Sequence, residues 1–182
     1  MLRFILNLML LKLQKRYQYD VRYQQRILHT DLRAYIKFCG FQSMAAHQAD
    51  VPLDALFAAR IRAILAEDCG PCSQLAVDMA LESGVPASLV QAIVERQLQL
   101  LPPEIALVVQ FTEQVLTHQP QAEELREQIC NLWGDKGLIS LAFAISSYRV
   151  YPTLKYAMGY GSACQHIKLS GQSLVPIKRP EN

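Results

Sequence analysis

Between Thr30 and Met158 the apolar residues recur at helical spacing, and alternating apolar and polar runs bounded by Asn-Gly or Asp-Gly turns are absent. A chain patterned in this way buries its apolar stripes by packing helix on helix, so the expected fold class is all-α. Thr30-Asp31 can start a helix through Leu32, Ile36 and Phe38, with Gly40 as its stop. Pro52 suits a first helical turn, and Leu53, Leu56, Phe57, Ile61, Ile64 and Leu65 form the stripe that follows. Leu75, Val77, Met79, Ala80 and Leu81 form another, closed by Ser83-Gly84, and Pro86 opens a helix at Leu89, Val90 and Ile93. After the break at Pro102-Pro103 come helices expected over 104–118, 122–133 and 135–158, the last ended or kinked by Pro152. From Ser170 onward, Gly171, Pro176 and Pro180 predict a loose arm.

A length of 182 residues suits one domain with an appendage, and buries roughly 70% of the unfolded surface without staples. The expected organisation is an N-terminal basic and apolar helical extension over 1–50, a helical domain over 51–169 and a flexible tail over 170–182. Residues 1–38 carry eight Lys and Arg against Asp20 and Asp31, a net +6; the whole chain carries +2, so the remainder carries −4. A basic segment of this kind contacts nucleic acid, anionic lipid or an acidic partner, or is simply a solvated helical face. The solvated face is the plainer expectation, and no nucleic-acid partner is expected. The first thirteen residues, MLRFILNLMLLKL, fall short of the ~20 that span a bilayer. No small-residue cleavage site follows at Gln14-Lys15-Arg16-Tyr17, so the segment is expected to be retained. It can dock on its own domain, pack against another subunit, or make peripheral membrane contact through residues 1–16, with Lys12, Lys15 and Arg16 at the headgroups.

Five cysteines, Cys39, Cys69, Cys72, Cys130 and Cys164, form an odd, unevenly spaced set that points to a reducing, cytoplasmic compartment. Within it, Cys69-Gly70-Pro71-Cys72 places two thiols at the start of a helix. Unpaired N–H groups and the positive end of the helix dipole favour a thiolate there, and residues three apart are surface neighbours, able to close a disulfide with little backbone motion. Pro71 fits the first turn, where its missing N–H costs nothing. Glu67 and Asp68 oppose this by placing negative charge beside Cys69, which leaves Cys72 as the better thiolate. Glu67 is also the candidate proton acceptor or relay.

The stretch ending in EDCGPC, the helix ending ALESGV with PASLVQAI after it, and WGDKGLISLAFAISSYRVYPTLKYAMGYG together resemble the carboxymuconolactone decarboxylase-like superfamily, specifically its alkylhydroperoxidase D-like branch. The likeness covers about Val51 to His166. It implies an alkylhydroperoxidase D-like helical bundle, here with an N-terminal helical extension, assembled as a homo-oligomer, usually a trimer or hexamer. It further implies a thiol–disulfide oxidoreductase or weak hydroperoxide reductase that needs no cofactor. Cys72 would be the peroxide-attacking thiolate and Cys69 the partner that closes the disulfide, with a small hydroperoxide or disulfide as substrate and an external dithiol as reductant. Two departures stand out: the His expected four residues after the second Cys is Ala76, and the upstream Glu falls at Phe57, with Asp54 the nearest acid. The competing expectation is a non-catalytic helical oligomeric binding or assembly protein on the same scaffold.

Other constellations carry plainer readings. Cys69, Cys72, Cys164 and His166 have zinc-ligand chemistry at a spacing that follows no common zinc pattern, so no metal is expected. His29, His47, His118 and His166 lie in polar neighbourhoods and are expected at the surface. Tyr148, Tyr151, Tyr156 and Tyr160 are expected in the core or at a subunit interface, where a hydroxyl near Cys72 is conceivable. Cys39 and Cys130 are expected as buried, unreactive thiols.

Overall fold

The computed structural model describes residues 1–163 and 165–178. Among these, eight α-helices account for most of the chain: α1 (Leu2–Tyr17), α2 (Arg22–Thr30), α3 (Leu32–Ala45), α4 (Leu53–Ala66), α5 (Gly70–Glu82), α6 (Ala87–Val94), α7 (Pro103–Leu116) and α8 (Ala122–Ala157). A single 3₁₀ turn (Leu98–Leu100) follows α6, and a short hairpin, β1 (Ile167–Leu169) and β2 (Gln172–Leu174), follows α8. The all-α expectation holds in its coarse form, and among the described residues no helix is long and apolar enough to cross a membrane.

α4 is the axis of the larger core. Every residue from Ala55 to Leu65 is buried, because α5, α6, α7 and α8 pack around it on all sides. Its leucines, isoleucines and Phe57 each contribute roughly 1.5–3 kcal/mol by leaving water. The same helix inserts two arginines into that core. Arg62, fully buried, pairs through Nη2 with Glu113 Oε1 of α7 at 2.7 Å and donates through Nη1 to the carbonyls of Ile93 at 3.3 Å and Ile177 at 2.6 Å. Arg60 donates to the Ala45 carbonyl at 2.8 Å, its guanidinium 5.0 Å from the Phe57 ring centroid and 5.3 Å from that of Tyr148.

A second, smaller core joins the N-terminal helices to the rest. Leu10, Tyr19, Val21, Tyr23, Leu28 and Tyr35 are buried together, with Leu75 of α5, Leu154 of α8 and Met158 just after it packed against them. α1 contributes only Leu10 as a fully buried residue, and its outer face leaves Phe4, Ile5, Leu8 and Met9 exposed. Asp31 caps α3, accepting from the N–H groups of Arg33 at 2.8 Å and Ala34 at 3.2 Å.

Three expectations need correction. α3 does not stop at Gly40 but continues to Ala45: Gly40 does not take the left-handed conformation that ends a helix, and Phe41 beyond it finds an aromatic partner in Tyr151 at 5.6 Å. Gly134, at φ 64 and ψ −174, separates the two halves of α8 as expected, yet Pro152 neither ends the helix nor lies exposed. The loose arm from Ser170 is instead folded back through residue 178. Ser170 and Gly171, at φ 47 and 83, make a tight hairpin turn, and Leu174 is buried. Beyond the hairpin, the Ile177 N–H donates to the Val94 carbonyl at 3.1 Å. Strands of three residues are too short to print a period-two pattern on the sequence. Gln74 of α5 completes their edge, donating to the Lys168 carbonyl at 2.9 Å and accepting from its N–H at 2.7 Å.

Removing one partner of a buried ion pair strands the other charge in the core, a loss of about 3–5 kcal/mol. Glu113→Ala is therefore expected to lower the unfolding free energy by that amount in urea titrations. Arg96→Ala, which removes the partly exposed Nε contact to Glu113 at 3.0 Å, is expected to cost about 1 kcal/mol or less.

Candidate functional site

α4 ends at Ala66, Glu67 forms its cap, Asp68 takes a left-handed conformation at φ 52, and Cys69 is extended at φ −108 as the residue that opens α5. This tight turn is fixed from several sides. The Tyr156 hydroxyl donates to the Asp68 carbonyl at 2.7 Å, Lys178 Nζ pairs with Asp68 Oδ1 at 2.5 Å, and the Gly70 N–H donates to the Ser162 carbonyl at 2.9 Å. Pro71 occupies the first turn of α5, so Cys69 and Cys72 come to a Cα separation of 5.3 Å with their sulfurs bonded.

Both sulfurs are sealed from water, Cys69 at 0% and Cys72 at 1% exposure. The cover over Cys72 comes from a part of the chain far away in sequence. Tyr19, in the connection between α1 and α2, reaches Cys72 Sγ with its hydroxyl at 4.0 Å. Its ring meets Tyr23 edge-on at a centroid distance of 6.4 Å, and the two hydroxyls lie 3.4 Å apart. Gln24 Nε2 donates to the Tyr23 hydroxyl at 3.0 Å. Burial raises both phenols above their ordinary value, so both stay neutral across the physiological range. Lys155 Nζ, from the last turns of α8, lies 4.5 Å from the Tyr19 ring centroid and 5.4 Å from that of Tyr23.

An open cleft of about 510 Å³ is lined by Gln14, Lys15, Gln18, Tyr19, Asp20 and Arg22. Tyr19 belongs both to this cleft and to the contact with Cys72. Arg22 grips Asp20 with Nε at 3.0 Å from Oδ1 and Nη2 at 2.7 Å from Oδ2, which holds the Asp20 carboxyl below its usual range.

The residues singled out from the sequence divide clearly. Cys69 and Cys72 meet. Glu67 is engaged elsewhere, accepting from Arg149 Nε at 2.6 Å. That ion pair, together with Lys178 on Asp68, offsets the two negative charges beside the dithiol that would otherwise oppose a thiolate. Ala76 and Phe57 are both buried core residues. The four histidines are all exposed, as expected. Cys39 and Cys130 are free but only half-buried, a correction to their expected burial; Cys130 Sγ lies 4.0 Å from Asp135 Oδ1. Among the described residues no group of three or more His, Cys, Asp or Glu is placed to hold a metal ion, and Cys164 lies outside those residues.

The hydroxyl at Cys72 thus comes from Tyr19 and not from the α8 tyrosines. Tyr156 is spent on the Asp68 carbonyl, while Tyr148 and Tyr151 meet edge-on at a centroid distance of 6.1 Å. Nothing local marks Tyr19 in the sequence. Lys155 carries a faint signal, a lone lysine among Leu154, Tyr156, Ala157 and Met158. Compared with protein-family models, with curated proteins and with solved structures, the chain shows no match.

A buried disulfide should be reduced slowly in the native protein, at a rate set by local opening. Tyr19→Ala is expected to raise the rate of reduction by dithiothreitol about tenfold or more, followed by thiol trapping and intact mass. An unchanged rate would place the access route elsewhere.

Proposed function

We propose that the protein is a thiol–disulfide oxidoreductase, with hydroperoxide reduction as its oxidative half-reaction, on an alkylhydroperoxidase D-like helical scaffold. The observation that carries this reading is the Cys69–Cys72 pair, bonded across the first turn of α5 and buried beneath Tyr19. The oxidative step begins with the Cys72 thiolate attacking the terminal oxygen of a small hydroperoxide, ROOH. The O–O bond breaks, ROH leaves after taking a proton, and Cys72 becomes a sulfenic acid. Cys69 then attacks the Cys72 sulfur and water departs, so that two thiols and ROOH give one disulfide, ROH and H₂O. An external dithiol resets the pair through a mixed disulfide, supplying two electrons and two protons and leaving as its own disulfide. A small disulfide can take the place of the hydroperoxide as oxidant. A reducing, cytoplasmic setting supplies such a dithiol.

The position of Cys72 supports its role as the attacking sulfur. It lies within the first turn of α5, where the helix dipole favours an anion, while Cys69 lies just outside it. With Ala76 and Phe57 where the resembled family places a His and a Glu, turnover with hydroperoxide is expected to be slow relative to simple exchange.

A specific feature also favours the second reading, a non-catalytic oligomeric assembly protein. On α1, Leu2, Phe4, Ile5, Leu8, Met9 and Leu11 are all exposed, an apolar surface of the kind covered in an assembly. Here the occupant is a second copy of the chain. Phe4→Glu with Met9→Glu is then expected to turn an oligomer into a monomer by light scattering. Retention of the wild-type protein on anionic vesicles without self-association would point instead to a lipid surface contacted through residues 1–16. A monomer that ignores both would sink this reading.

The enzymatic reading is tested by intact mass after a small excess of hydroperoxide. Wild-type protein, reduced beforehand, is expected to lose two hydrogens faster than free cysteine oxidises, and Cys69→Ser to gain one oxygen at Cys72. Cys72→Ser is expected to abolish turnover with any hydroperoxide or disulfide. Thiols that oxidise no faster than free cysteine would defeat the proposal.

A further inference from the structure

Lys155 has no exposed surface, and its Nζ has no hydrogen-bond partner among the described residues. An ammonium taken out of water in this way is a cost that packing does not explain, because a methionine would fill the same space. The charge is held instead on the faces of two rings, Tyr19 at 4.5 Å and Tyr23 at 5.4 Å. Of these two rings, Tyr19 also touches the dithiol, its hydroxyl 4.0 Å from Cys72 Sγ. One side chain therefore joins an unpaired buried cation to the sulfur that must carry negative charge.

The charge on the site changes with its redox state. The oxidised pair is neutral. On reduction by an external dithiol, two electrons enter, the S–S bond breaks, Cys69 keeps a proton as a thiol, and Cys72 gives its proton to solvent to become a thiolate. A lone thiolate in a site without water is disfavoured unless a cation or donor answers it. We propose that Lys155 is a positioning residue for this redox site, its ammonium acting across Tyr19 as the countercharge that keeps Cys72 a thiolate in the reduced protein. This rests on the reading of the pair as a redox centre and supplies what Ala76 and Glu67 do not.

The other groups around Lys155 are consistent with that task. From the α1–α2 connection Asp20 attracts the ammonium, and Arg22, at the start of α2, opposes it while gripping Asp20. Tyr23 of α2 lies in the same small core and Tyr151 of α8 packs against the larger one, and burial pushes both phenols up, as it does Tyr19. They remain neutral, and with Arg22 engaged by Asp20, Lys155 is left as the buried cation against the rings. Burial also draws Lys155 down from the ordinary ammonium range, so the charge is held less firmly than on the surface and gains from a thiolate nearby.

The test is the pH profile of Cys72 alkylation by iodoacetamide in the chemically reduced full-length protein, assigned by peptide mass and checked by thiolate absorbance. In the wild type the midpoint is expected below the ordinary thiol value of about 8.5. Lys155→Met is expected to raise it by about one unit or more, Lys155→Arg to restore most of the shift, and Tyr19→Phe, which keeps the ring but removes the hydroxyl, to raise it by less. A purely structural role for Lys155 would leave the midpoint of a folded Lys155→Met variant where the wild type has it, and that result overturns the proposal. Should the methionine variant fail to fold by circular dichroism, a wild-type midpoint at or above 8.5, or a Tyr19→Phe midpoint equal to wild type, overturns it equally. A lowered, Lys155-dependent midpoint in a protein that turns over neither hydroperoxide nor disulfide supports the countercharge and defeats the enzymatic reading alone.

Discussion

The ion pair between Arg62 and Glu113 is the constraint on which the rest of the structure depends. Both groups are buried, so neither can rotate to water, and each must find the other and its further partners before α4 can lie at the centre of the bundle. Arg62 then ties three separate segments to one point: α7 through Glu113, the end of α6 through the Ile93 carbonyl, and the chain after the hairpin through the Ile177 carbonyl. With α4 fixed, the turn that follows it has little freedom. Glu67, Asp68 and Cys69 are delivered at one end of the core, and the dithiol is set where α4 hands over to α5.

The N-terminal helices serve the site as much as the fold. Their small core is laid against α5 and α8, and its buried tyrosines come to rest on one side of Cys72. The disulfide at the head of α5 is buried, the Tyr19 hydroxyl lies 4.0 Å from Cys72 Sγ, and Lys155 lies against the same ring. The contact to the sulfur and the contact to the buried ammonium thus converge on a single side chain. Chemistry that needs both an entering substrate and a thiolate would have to move Tyr19 without losing its influence.

Much of this was legible in the sequence, for definite reasons. The helices around Pro52, Pro86 and Pro102-Pro103 announce themselves because proline and glycine punctuate apolar stripes at helical period, and Gly134 marks the break in α8 because only glycine takes φ 64 with ψ −174 readily. The Cys-Gly-Pro-Cys spacing fixes the meeting of two sulfurs, since residues three apart on one turn are neighbours whatever surrounds them. Local rules misled where long-range contacts outweighed them. Gly40 continues a helix, Pro152 is carried inside one, and residues 167–178 fold back because Gln74 and Arg62 supply partners that no local pattern reveals.

The sequence by itself determined the helices, the place of the dithiol at the head of α5 and the bonding distance between its sulfurs, because all of these follow from period, punctuation and a spacing of three. The tertiary structure alone decided what surrounds them. Tyr19 lies fifty-three positions from Cys72 and Arg149 eighty-two from Glu67. Pairings of that kind arise from how helices cross and which faces they bury, and no local pattern in the chain encodes that a phenol, rather than a carboxylate or an imidazole, comes to rest against the sulfur.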